Sequence, residues 1–250
     1  DEHLKIQLPV MVCLDGFTLS HTMENVMTLP DEAVKKFVGE REFVKVESHL
    51  GEAELRLNPD APLTMGPLDL QDFYFEHKMQ QVEALKDTLK VIKDVDKEWA
   101  KVSGRMYDYA EPYLMDDAEV AILAMGSTGG TAKVAVDRLR EQGKKAGLIR
   151  CRVFRPFPKD AMLKALSKAK VVGILDRADT VSTLGGHLYN ESRSILYESK
   201  VRPLLKNYVY GLGGRDISIE DIEEIYGQLY GIQKAGKVDE DIVYFGVRGE

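Results

Sequence analysis

From residue 119 onward the sequence alternates short apolar runs with longer stretches whose apolar residues recur at spacings of three and four, a pattern that few folds accommodate. Residues 119–125, 146–154, 170–175 and 207–211 read as strands. Helices are expected over 129–142, over a segment opened by Pro158 and carrying Met162, Ala165, Leu166 and Ala169, over 186–199, and over a final stretch holding Ile219, Ile222, Ile225, Tyr226 and Leu229. Pro158 stands where a first helical residue can do without its N–H, and Ser218 with Asp221 forms a Ser-x-x-Asp start signal. Strands joined by helices of this length are βαβ units, so the expected fold class is α/β, a parallel sheet with right-handed crossovers.

Upstream the pattern changes. Residues 8–14 (LPVMVCL) form a continuous apolar run closed by Asp15-Gly16, as in a strand buried on both faces of a parallel sheet. One such strand needs neighbours, expected upstream of Asp1 or in another chain, and the absence of an initiator Met suggests a longer parent chain. Pro30 and Asp31 open a short helix through Val38 that Gly39 can end. Residues 40–67 are weakly periodic and read as a linker. Over 68–99 the positions Phe75, Met79, Val82, Leu85, Leu89, Ile92, Val95 and Trp99 mark one face of a long amphipathic helix, taken as a packing face. The expected division is 1–40, then linker and helix over 41–117, the α/β domain over 118–230, and a tail over 231–250.

Composition narrows the function classes. With 34 basic against 41 acidic residues the net charge is −7, and no Lys/Arg stripe offers a phosphate backbone a hold, so nucleic acid is not expected as a partner. No apolar stretch approaches the roughly 18 residues that span a bilayer, no targeting segment opens the chain, and a cytoplasmic protein is expected. Cys13 and Cys151, far apart in apolar runs, read as buried free thiols.

Two Gly-rich turns follow strands. Gly126-Ser127-Thr128-Gly129-Gly130 lies where backbone N–H groups and a helix dipole would meet an anion, yet matches neither dinucleotide nor P-loop spacing, and no ribose-binding acid ends the second strand. Packing of a tight turn is the favoured role. Gly211-Leu212-Gly213-Gly214-Arg215-Asp216 belongs to the same carboxyl edge of the sheet, where ligands of open α/β sheets bind. Arg155, Arg177, Arg215 and Asp216, just past strand ends, suit structural ion pairs or an interface better than an anion site. His21 and Glu24 would share a face of a helical turn but lack further metal ligands, Ser20 lacks a nucleophile elbow, and His49, His77 and His187 stand singly. No run of cysteines serves an iron–sulfur cluster, and Leu14-Asp15-Gly16 is not followed by the Asn pattern of a thiamine pyrophosphate metal site. The chain alone is expected to hold no complete active site and no metal site.

The string 9–24 (PVMVCLDGFTLSHTME), followed by Arg155-Pro156-Phe157-Pro158, Asp176-Arg177, Gly211 to Asp216 and Gly246-Val247-Arg248-Gly249-Glu250, resembles in order and spacing the alpha chains of the 2-oxoacid:ferredoxin oxidoreductases, closest to the pyruvate members. The turn at Gly126 to Gly130 is similar to that family's Gly-Ser turn. The resemblance implies that residues 8–14 are the last strand of a thiamine-pyrimidine-binding domain, and that residues from about 118 form a transketolase C-terminal-like domain. It implies oxidative decarboxylation of a 2-oxoacid with thiamine pyrophosphate and Mg²⁺, electrons leaving through 4Fe–4S clusters to ferredoxin, and coenzyme A taking the acyl group. Those cofactors would sit mostly in an absent segment or in beta-, gamma- and delta-type partner subunits. Asp15, Gly16, Ser20 and His21 would lie nearest the shared active site. Residues 39–57 are longer and more charged than in pyruvate members, and 68–76 also differ, which keeps oxalate oxidoreductase, which uses no coenzyme A, as an alternative; a non-catalytic assembly subunit is another.

Overall fold

The computed structural model describes residues 6, 8–40, 43–48, 51–63, 66 and 68–249. His49, Pro67 and Glu250 lie outside the described residues, as does the lead-in 1–7 apart from Ile6. Along the chain a helical turn α1 (Thr18–His21) and helix α2 (Asp31–Val38) precede strands β1 (Lys45–Ser48) and β2 (Gly51–Glu54) and the long helix α3 (Tyr74–Ser103). The rest runs β3 (Ala110–Tyr113), β4 (Val120–Met125), α4 (Thr128–Glu141), β5 (Ala146–Cys151), α5 (Lys159–Leu166), β6 (Val171–Asp176), α6 (His187–Tyr197), β7 (Leu204–Val209), α7 (Ile219–Ala235) and β8 (Ile242–Tyr244). Two compact units result, one of residues 1–12 and 23–106, the other of residues 13–22 and 107–250.

In the first unit, Gly39 ends α2 at φ 72°, its N–H donating to the Lys35 carbonyl, as its place in the sequence suggested. Phe37 of α2 meets Trp99 of α3 edge to face at 4.9 Å. The expected linker contains an antiparallel hairpin, β1 on β2, with Lys45 opposite Glu54. Along α3 the apolar stripe is graded: Phe75, Met79 and Val82 are exposed, whereas Leu89, Ile92, Val95 and Trp99 are half-buried. The run 8–14 is not a hydrogen-bonded strand here, and Met11, Val12 and Leu14 are exposed. A two-face-buried strand exists only between partner strands, and among the described residues none lies beside it. For the same reason Cys13, expected to be buried, is exposed.

The second unit is a six-stranded sheet in the order β3-β5-β4-β6-β7-β8, parallel except for β3. Alternation along β4 assigns its two faces: Val120, Ile122 and Ala124 pack under α4 and α7, while Ala121 and Leu123 pack with α5 and α6. The edge strands β3 and β8 fall outside the expected span 118–230, so the tail contributes to the sheet. One crossover also differs from expectation. The β6–α6–β7 and β7–α7–β8 connections step in the same direction along the sheet, but α6 and α7 lie on opposite faces, so they are of opposite hand. Helix α7 packs beside α4 and covers Gly173 with Leu229, burying the apolar face of β4 and β6 before the chain returns to the short edge strand.

The connections leaving β4 and β6 diverge, α4 to one face and α6 to the other. That divergence opens a crevice at the carboxyl ends of two neighbouring strands, the place where open α/β sheets position their functional groups.

Candidate functional site

Residues 13–22 belong to this unit, and Asp15 alone among them is partly buried, reaching the crevice while its neighbours stay exposed. The Asp15 carboxylate accepts the backbone N–H of Ser127 at 2.5 Å, at the entry to α4, and its other oxygen lies 3.7 Å from the Arg177 guanidinium. Partial burial pushes the Asp15 carboxyl up, but the Ser127 hydrogen bond and the charges of Arg177 and Arg150 together outweigh it and hold the group below its ordinary value. The position on the Gly-rich turn where a phosphate would sit is therefore taken by the chain's own carboxylate. Gly126 makes this possible: its φ is 64°, and a Cβ there would stand 2.8 Å from Asp15 Oδ2.

Around this contact the sheet edge is braced. Thr128 Oγ1 and Tyr210 OH share a buried hydrogen bond of 2.6 Å, joining the start of α4 to the end of β7. Burial pushes the Tyr210 phenol up, so it remains a neutral hydrogen-bonding partner. The Arg177 guanidinium lies over the Tyr210 ring, 5.4 Å from its centre. Gly211 leaves it room, since a Cβ there would come within 2.8 Å of Arg177 Nε.

Next to Arg177, the buried Asp176 accepts from the N–H groups of Leu188 and Tyr189 at 2.9 and 3.2 Å and from Asn207 Nδ2 at 2.9 Å. It is the anion at the N-terminus of α6. Burial is the largest influence on it and leaves its pKa raised in spite of those three donors. A Cβ on Gly186 would overlap its carboxylate at 2.2 Å.

Beyond Asp15 the chain makes the turn α1. Gly16 is exposed, Phe17 stacks on the His21 ring with centres 4.8 Å apart, and Ser20 Oγ lies 2.7 Å from His21 Nδ1. The hydroxyl also donates to the Phe17 carbonyl at 3.2 Å, and Nδ1 lies 3.1 Å from the same oxygen.

The remaining candidates separate from this group. Arg155 pairs with Glu191 on α6 at 2.7 Å, Arg215 donates to the Gly246 carbonyl, and Asp216 is exposed. His77 pairs with Asp69 at 2.7 Å in the first unit. Sequence reasoning missed Thr128, Tyr210 and Arg150, whose roles depend on which strand ends become neighbours. It also missed Glu111 on β3, which gathers Lys133 and Arg152. Burial raises the Glu111 carboxyl, but those cations hold it below its ordinary value.

Cofactor fit is decided by donors. A 4Fe–4S cluster needs four thiolates and this chain has two cysteines, Cys151 being buried with its thiol pushed up to about 12 by desolvation, so the chain does not fit such a cluster. Among the described residues no group of three His, Cys, Asp or Glu is gathered to hold a metal ion. Among the described residues no helix is long and apolar enough to cross a membrane.

A doubly wound α/β sheet whose switch point is occupied by the chain's own loop is a domain that displays a segment at its carboxyl edge. The family described as "Pyruvate:ferredoxin oxidoreductase core domain II" matches residues 118–222, and "Pyruvate flavodoxin/ferredoxin oxidoreductase, thiamine diP-bdg" matches residues 2–97. The chain belongs to the pyruvate:ferredoxin oxidoreductase family and is similar to its PorA-type alpha subunits. It is 48% identical over 90% of its length to pyruvate synthase subunit PorA of Thermotoga maritima, and 41% identical over 91% to that of Methanocaldococcus jannaschii. Ketoisovalerate oxidoreductase subunit VorA of Pyrococcus abyssi is 34% identical over 97% of the chain. The chain spans 55%, 56% and 59% of those three relatives, little more than half of each.

Proposed function

We propose that this chain is the part of a thiamine-dependent 2-oxoacid:ferredoxin oxidoreductase that carries the Ser20–His21 turn to a shared active site. The observation that carries the reading is the exposed hydroxyl–imidazole pair, 2.7 Å apart and separated by a short loop from a carboxylate fixed at the switch point of the sheet. Such a pair offers a hydroxyl and an imidazole to the oxygens or the exchanging proton of a small oxoacid. Thiamine diphosphate, Mg²⁺ and the clusters would be held by other segments of the parent protein or by beta-, gamma- and delta-type subunits, ferredoxin taking the electrons. Pyruvate with coenzyme A is the substrate pair that the PorA likeness favours. The charged hairpin β1–β2, with Lys45 paired to Glu52, lies in the stretch that departs from pyruvate members and favours oxalate, without coenzyme A, as a second reading.

Native mass spectrometry of the chain mixed with cluster-bearing partner subunits, followed by 2-oxoacid-dependent reduction of ferredoxin, tests the proposal. Assembly with pyruvate- and coenzyme A-dependent reduction is the expected result. Reduction supported by oxalate alone would select the second reading. A chain that stays monomeric beside its partners would end the proposal, and assembly without any contribution to turnover would leave only a scaffold.

A further inference from the structure

We infer that Arg177 is a positioning residue for the Ser20–His21 turn: it holds Asp15 from the end of β6 while bracing the Tyr210 ring at the end of β7, and so sets where the turn stands over the sheet edge. The inference rests on the function proposed above and deepens it.

The contacts form a closed circuit. Arg177 lies 3.7 Å from Asp15, and Asp15 accepts the Ser127 N–H at 2.5 Å. Thr128, the next residue, bonds Tyr210 at 2.6 Å, and the Tyr210 ring supports Arg177 at 5.4 Å. Three strand ends, β4, β6 and β7, are thereby tied to one carboxylate. A circuit of this kind is stiffer than its single contacts, because displacing any member requires breaking two of them. Gly211 is part of the design, since a side chain there would push the guanidinium off the ring.

The constraint reaches the turn through very little chain. Only Gly16 separates Asp15 from Phe17, and from Phe17 onward the turn is closed by His21 N–H to Phe17 O at 2.8 Å and by Thr22 Oγ1 to Thr18 O at 2.6 Å. Moving Asp15 therefore moves Ser20 and His21 as a block. Arginine suits the position because its planar fork can lie flat on the phenol ring while its edge faces the carboxylate; an ammonium keeps the charge but not the plane.

Hydrogen–deuterium exchange across residues 13–22 of the full chain reads the tether directly, and kcat and KM of the assembled oxidoreductase read its use. Arg177→Ala and Asp15→Asn are each expected to speed exchange in that segment about tenfold, with the double variant no faster than either single, because both break one node. In the assembly each should lower kcat by a similar factor with KM within about twofold, and Arg177→Lys should recover part of the loss. Should Arg177→Ala fold poorly, Asp15→Asn, which preserves shape, carries the test. Wild-type exchange in both variants, or strictly additive effects, would overturn the tether. Faster exchange with wild-type kcat would overturn the positioning role. Because exchange is measured on the chain alone, its outcome is separate from the fate of the catalytic proposal.

Discussion

Asp15 accepts the backbone N–H of Ser127 across 112 positions of the chain, so the anion at the start of α4 is supplied by the loop that the sheet displays. This one contact gives the Gly-rich turn a purpose that its sequence left open. The turn is shaped for an anion, and the anion belongs to the same chain.

Replacement of Gly126 by alanine tests that fit. The residue sits at φ 64°, where a Cβ costs roughly 1–2 kcal/mol on its own. The new methyl would also meet both Asp15 oxygens, at 2.8 and 2.9 Å. Urea unfolding should show a loss at least that large, and exchange over residues 13–22 should rise.

The Thr128–Tyr210 bond offers a paired measurement. Tyr210→Phe leaves the buried Thr128 hydroxyl unmatched and should cost about 1–3 kcal/mol in urea unfolding, whereas adding Thr128→Val, which removes both polar partners, should recover most of it.

Two glycines with opposite surroundings should respond in opposite directions. Gly186→Ala would drive a methyl to within 2.2 Å of the Asp176 carboxyl carbon in a fully packed corner, an overpacking that typically costs about 1–3 kcal/mol or more. Gly227→Ala, inside α7 with nothing near its Cβ position, should stabilise by roughly 0.5–1 kcal/mol through helix propensity. Chemical denaturation of the two variants side by side checks both signs.

These responses follow from features that differ in how far the sequence shows them. The central strands were readable because β4 and β6 are buried on both faces and so are apolar up to Asp176, which closes β6, and the α7 start was readable because Ser218 and Asp221 make a reciprocal capping box. The edge strands were not. Ala110–Tyr113 carries Glu111 and Pro112, and Ile242–Tyr244 is three residues long, so neither shows the uniform apolar run of an interior strand. Asp15 and Ser20 could be singled out as residue types, but the partner of Asp15 is a backbone group on a distant strand end, which no local pattern encodes. Asp176 left a clue that was overlooked: an acid ending a strand, with Gly just before the next helix, is the arrangement of a carboxylate serving as that helix's N-terminal anion.

Acid titration separates the tether from the rest of the fold. The Asp15 pKa is lowered in the folded state, so its contribution is present in full above its unfolded value of 3.8 and is lost as pH falls through the folded value. The stability difference between wild type and Asp15→Asn should therefore be constant above about pH 5 and shrink toward zero in stronger acid. Asp176, raised by burial, acts in the opposite sense: its ionisation costs stability as pH rises through its folded value. A difference that grew on acidification would assign the dominant role to burial of Asp15 instead of its hydrogen bond.

The most direct measurement of the central claim is 2-oxoacid-dependent reduction of ferredoxin by the assembled enzyme carrying Ser20→Ala or His21→Ala, each compared with His77→Ala in the first unit. The expected result is a fall in turnover of about tenfold or more for the first two with assembly and melting temperature preserved, and wild-type turnover for His77→Ala. Wild-type turnover in both Ser20→Ala and His21→Ala would contradict the account and leave this chain as a scaffold.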